Sequence, residues 1–155
     1  MIDLGQEIRV QQALKPATYT SVAAGDYLNM ENYAKATLVI ETGTVTVGSK
    51  ISIRNATAAG GSGAVALADP FVNGKYYKGY TVTSATSSTS VDYLVIGNGD
   101  DSTTFVATID ASKLTAGYPF INMYIVDSTM NGTISGTWLL HGARYQGDPP
   151  PDPTS

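Results

Sequence analysis

Short stretches of alternating apolar and polar residues, cut by clusters of Gly, Asn and Ser, recur from residue 36 onward, and no amphipathic helix of three turns lies between them. Ala36, Leu38 and Ile40 share one parity while Thr37 and Glu41 share the other. A side chain that flips sides at every residue is the mark of a half-buried strand. Val45, Val47, Ile51 and Ile53 repeat the pattern, with Gly48-Ser49 as a bulge or tight turn between them. Further candidate strands run over residues 77–83, 91–96, 103–109, 120–126 and 134–145, separated by turn signals such as Asn73-Gly74 and Gly97-Asn98-Gly99-Asp100. The run 110–114 reads as one helical turn capped by Asp110, and residues 5–14 could form a short helix. A parallel sheet needs long crossovers, usually helical, which this pattern lacks. About eight short strands joined by turns therefore predict an all-β, single-domain antiparallel fold: a β-sandwich, jelly roll or barrel.

The 155 residues fit one domain with one core, expected to span residues 17–146, preceded by an extended N-terminal arm (1–16) and followed by a Pro-rich tail (147–155). Pro149, Pro150 and Pro151 cannot donate to a ladder, so the last strand has to end before them in an extended, solvated segment. That last strand is apolar on both parities, Trp138 and Leu140 on one and Leu139, Ala143 and Tyr145 on the other. One face fills the sandwich. The other calls for cover, from the N-terminal segment or from another subunit.

Only 14% of residues are charged, against about 25% in an average soluble domain, and Ser, Thr, Gly and Asn carry the polarity instead. A surface so short of charge suits a contact with another protein. The net charge of −4 and the lack of any Lys/Arg cluster argue against nucleic acid as a partner. No apolar run approaches the roughly 20 residues of a helical membrane span, so no membrane partner is expected. Acids at Asp3 and Glu7, where a signal peptide carries Lys or Arg, lead to an expectation of synthesis in the cytoplasm.

Catalytic chemistry finds little to work with. There is no cysteine, one histidine (His141, mid-strand) and no Gly-x-Ser-x-Gly elbow, so neither a nucleophile–base set nor a thiolate metal site is readable, and no catalytic residue, cofactor or metal is expected. Asp100-Asp101 are neighbours, which in a strand point to opposite faces and cannot flank one glycosidic bond. Gly60-Gly61-Ser62-Gly63 lacks the Gly-Lys-Ser/Thr end of a phosphate loop. Ten tyrosines, among them Tyr76, Tyr77 and Tyr80, offer contact area with a polar tip for a protein partner or a sugar.

Three runs carry a resemblance: Asp26-Tyr27-Leu28-Asn29-Met30-Glu31-Asn32-Tyr33 leading into a Thr/branched strand, Thr108-Ile109-Asp110-Ala111-Ser112-Lys113-Leu114 with Pro119-Phe120-Ile121-Asn122-Met123-Tyr124, and Gly142-Ala143-Arg144-Tyr145-Gln146-Gly147-Asp148 before the prolines. Over residues 5–151, more loosely in 60–101, the chain resembles the capsid decoration (cement) proteins of tailed bacteriophages. The resemblance implies a jelly roll or similar sandwich, no enzyme activity, and a virion structural protein on the capsid exterior. Its implied partners are the major capsid protein and itself, as a homodimer or homotrimer. Expected contact residues are Ile2, Leu4, Ile8 and Val10 on the arm, Tyr76, Tyr77 and Tyr80, and the prolines of the tail. A tail or head-fibre module that recognises glycans through those tyrosines or Trp138 is the alternative.

Overall fold

A computed structural model describes residues 8–71, 75–78, 81–84 and 93–143. Among these the secondary structure is β apart from one 3-10 turn, and every strand pairing is antiparallel. In chain order the strands are β1 (Ile8–Tyr19), β2 (Ala23–Ala24), β3 (Leu28–Asn29), β4 (Tyr33–Val47), β5 (Ser49–Ala56), β6 (Val65–Ala66), β7 (Lys75–Lys78), β8 (Thr81–Ser84), β9 (Tyr93–Ile96), β10 (Thr103–Asp110), β11 (Phe120–Ile125) and β12 (Asn131–Ala143).

They form two sheets. The first has the order β1-β12-β4-β10-β7-β8; in the second β11 pairs β2 and β3 on one side and β5 on the other, and β5 pairs β6 and β9. Taking β2 and β3 as one broken strand and setting aside β6 to β8, successive strands alternate between sheets except for the fourth and fifth, which pair within the second, giving the orders 1-8-3-6 and 2-7-4-5. This is the jelly roll, two interleaved Greek keys. The β-sandwich expected from alternation is therefore present, with a β7–β8 hairpin extending the first sheet.

Alternation works because each strand has one dry face. Leu38 and Ile40 from β4, Ile134, Trp138 and Leu140 from β12, Ile51 and Ile53 from β5, and Ile121, Met123 and Ile125 from β11 fill the interior. Gly136 faces this interior too: an added Cβ would press on Met123 Sδ at 2.5 Å and on Ala13 Cβ at 3.2 Å. Gly48 is the corner where the chain leaves the first sheet (β4) for the second (β5), and there an added Cβ would collide with the carbonyl oxygen of Ile96. The 3-10 turn Ala111–Lys113 is capped by Asp110, whose Oδ1 accepts from the N–H of Ser112 (3.0 Å).

Three expectations change. The arm placed at 1–16 is too long: Ile8–Tyr19 is an edge strand paired along β12, and Ala13 and Leu14 lie in the core. Two register shifts, between Gln12 and Leu14 and between Leu14 and Ala17, put those neighbours both inside and erase the period-two signal. The same ladder excludes a helix over its residues, and Pro16 is tolerated because the strand is at the sheet's edge. Deleting residues 1–15 would thus remove a strand and part of the core, not an appendage. Finally, the single strand expected at 77–83 is two, Lys75–Lys78 and Thr81–Ser84.

Candidate interaction faces

Each sheet has an outer face, and the two are built differently. On the first sheet, cross-strand register arranges the outward residues in four rows. The first row is Ile8, His141, Lys35 and Asp110; the second is Val10, Leu139, Thr37 and Thr108. The third is Gln12, Thr137, Val39 and Val106; the fourth is Ser135, Glu41, Thr104 and Tyr77. None of these residues is buried, and Val10 is 64% exposed. Across β1, β12, β4 and β10 the two middle rows hold Val, Leu, Thr and Gln with no charge, and the outward charges of these strands stand in the outer rows; on β7, Lys75 is in register with Val106 and ends the third row at the side of the face. Apolar centre and polar rim are the layout of a protein contact surface.

His141 lies in the first row between Ile8 and Lys35. Its Nε2 is 3.1 Å from Thr37 Oγ1, which is in turn 2.9 Å from Thr108 Oγ1. Partial burial first, and the charge of Lys35 second, push its pKa below the ordinary imidazole value, so the neutral ring is favoured. Among the described residues the polar groups beside it are threonine hydroxyls and a lysine, with no carboxylate to orient a base. Asp110, at the end of the same row, is held below the ordinary carboxylate range by the N–H and hydroxyl of Ser112.

The second sheet's outer face is aromatic and cationic. The Arg54 guanidinium stacks on the Tyr124 ring, 3.3 Å from its centroid, and Lys50 Nζ sits 4.9 Å from the centroid of Tyr93. Register explains both: Tyr124 and Tyr93 flank Ser52 on either side, so Arg54 and Lys50 are their diagonal neighbours. The chain's own segment 23–29 pairs along β11 at this sheet's edge, where Asn122 Nδ2 donates to Gly25 O (3.3 Å) and Asn122 itself is buried. Burial raises the pKa of Tyr27 there, with Arg54 acting in the opposite direction.

Of the contact residues expected from sequence, Ile8 and Val10 do reach a common surface, on the outer face of the first sheet. Tyr77 lies at the far end of that face and is 37% exposed; Tyr76 is placed in register with Phe105, on the opposite parity. Ile2, Leu4, Tyr80, Pro149, Pro150 and Pro151 fall outside the described residues. Trp138 is 0% exposed and cannot contact a glycan. The Asp100-Asp101 pair is tied to the backbone: Asp100 Oδ2 accepts from Gly97 N–H (2.6 Å) and Asp101 Oδ1 from Val45 N–H (2.7 Å). Missed altogether were Arg54, Tyr124, Lys50 and Tyr93, which come together only through register between β5, β9 and β11. Among the described residues no cluster of three or more His, Cys, Asp or Glu could hold a metal ion, and no helix is long and apolar enough to cross a membrane.

No protein-family model matches the chain, and neither does any curated protein. Among solved structures it is similar to the SPBc2 prophage-derived protein YomS, at 15% identity and a TM-score of 0.49 over 86% of this chain and 93% of that one. It is also similar to the structure of infectious bursal disease virus, Gx strain, at 14% identity and a TM-score of 0.45, over 89% of this chain and 32% of that one.

Proposed function

We propose that this protein is a structural component of a bacteriophage virion, binding the outside of the capsid as a decoration or cement protein and catalysing no reaction. The observation that carries the reading is the outer face of the first sheet: over β1, β12, β4 and β10 it is a field of Val, Leu, Thr and Gln with charges at its ends, suited to contact with another protein. The tailed-phage resemblance supports the location; its first two runs fall on framework elements, namely β3–β4, the β10 end with its capped turn, and β11, while most of the run 142–148 lies outside the described residues. Such a protein acts by linkage. Whatever binds the assembled shell and not its separated subunits stabilises the shell. Several weak contacts per bound oligomer then act together through high effective concentration.

A second reading has its own support. Arginine and lysine stacked on tyrosines at the second sheet suit an acidic sugar or another anion, as a receptor-binding module of the tail or head fibre would require. Electron microscopy of the particles, with purified protein added back to stripped heads and co-sedimented, separates the two. Hundreds of copies spread over the head, and co-sedimentation with heads, is the expected result. A few copies at one vertex or along the tail would discard decoration in favour of adsorption.

A further inference from the structure

We infer that the outer face of the first sheet is where two copies of this chain meet, stacked face to face about a two-fold axis that runs across the strands. The occupant follows from how charge is laid out along β4. Lys35 and Glu41 are both exposed and both on the outer parity, six residues and so roughly 20 Å apart on one strand. Around Lys35 the end of the face also carries Lys113, whose charge reaches Asp110 between them. Around Glu41 the sheet ends in the turn that carries Asp101. On β1, β12, β4 and β10 the face therefore has a basic end and an acidic end with an uncharged middle, and Lys75 of β7 stands at its side.

Two sheets packed face to face can be related by an axis along the strands or by one across them. An axis along β4 would set Lys35 over Lys35 and Glu41 over Glu41. An axis across the strands, passing midway between the second and third rows, sets each Lys35 over the Glu41 of the other copy, twice. The same operation lays the second row on the third: Leu139 over Thr137, Val39 over Thr37, Val106 over Thr108 and Val10 over Gln12. Every branched apolar side chain then meets a threonine or glutamine stem rather than its own twin, so large packs against small as in a sandwich interior. Four rows over the four strands β1, β12, β4 and β10 cover roughly 500 Å² per copy, about 1,000 Å² in all, which is the lower bound for a specific interface. A contact of this kind is isologous and closes at two copies. The described N-terminal residues leave the face open, because β1 extends the sheet sideways and does not fold over it. The dimer does not depend on a virion location, and a dimer closed on this face would meet a capsid through its remaining surface.

The test is a charge exchange read by sedimentation velocity of the full chain over a concentration series up to about 200 µM. The wild type is expected to dimerise. Glu41→Lys, which stands between Ser135 and Thr104, is expected to weaken the dimer about tenfold or more, since it sets like charges together at two places. Lys35→Glu should do the same; Lys35→Gln repeats the test without a carboxylate opposite Asp110. The double variant K35E/E41K should return to within about threefold of the wild type, and Leu139→Asp should abolish the dimer. Far-UV circular dichroism confirms that each variant is folded. A wild type that stays monomeric throughout overturns the inference, as does a dimer indifferent to the single reversals, or a double variant no tighter than the singles. If Leu139→Asp spares self-association yet abolishes binding to heads, the face belongs to the capsid protein instead.

Discussion

The two outer faces of this sandwich are made from the same strand geometry, yet among the described residues one is left open and the other is already in use by its own chain. On the first sheet, threonines and branched residues stand side by side with short hydroxyl contacts such as Thr37 to Thr108, and nothing described lies over them. On the second, long side chains lie down: Arg54 covers Tyr124, Lys50 approaches Tyr93, and segment 23–29 closes one edge. Short β-branched residues make a flat face that a second sheet can pack on. Long cations and aromatics make a relief that is partly satisfied within the subunit and is fit for a small or irregular partner.

The sharpest contrast is between neighbours on one strand. Trp138 and Leu139 are consecutive in β12, the first fully buried between the sheets and the second on the open face. Trp138→Ala should destabilise the fold by about 3–5 kcal/mol, because it removes a large core ring and leaves a cavity. The indole N–H has no partner among the described residues, so the loss is one of packing and not of a hydrogen bond. Leu139→Thr should change stability by less than about 1 kcal/mol, since threonine suits a half-exposed strand position. Urea unfolding of both variants measures the difference. Equal losses would mean that something covers Leu139 in the isolated subunit, and the open-face description would have to go.

Those neighbours also mark how far the sequence could be read. The parity of Trp138 and Leu139, the strand at 36–41 and the cap at Asp110 were legible because a dry face on one side and water on the other leave a period of two, and because capping is local. β1 was not. Its two register shifts place Ala13 and Leu14 inside together, and Lys15-Pro16 looks like the end of structure unless one knows the strand sits at an edge. The faces were the least legible part. Which outward residues share a row depends on partners about a hundred positions apart, such as Leu139 with Thr37, and on registers that no local pattern specifies. Arg54 and Tyr124 are a case in point: each reads as an ordinary strand residue until β5 and β11 are set side by side.

The second face can be tested for internal use by a double-mutant cycle on Arg54→Ala and Tyr124→Ala. If the guanidinium is engaged with the ring, the pair should show a coupling of about 0.5–1 kcal/mol in thermal or urea unfolding, typical of a partly exposed cation–π contact. No coupling would mean that Arg54 is held ready for an outside ligand, and the description of the second face as self-satisfied would be lost.

The smallest effect belongs to His141, the chain's one histidine, on the open face. Burial and Lys35 hold its folded pKa below the ordinary imidazole value, whereas in the unfolded chain it takes up a proton near about 6.5. As pH falls below that value the unfolded state binds the extra proton first, so stability present at neutral pH is lost until pH passes below the folded pKa. Asp110, whose folded pKa is also depressed, adds a loss of the same sign, but only at the lower pH where carboxylates titrate. His141→Gln removes the first of these and leaves the second. The melting temperature of the wild type should therefore fall more than that of the variant between about pH 7.5 and pH 5, and the two curves should run parallel below. A second copy stacked on the face would bury the ring further and steepen the wild-type slope as protein concentration rises. A slope independent of concentration, at concentrations where the dimer forms, would place His141 outside the contact.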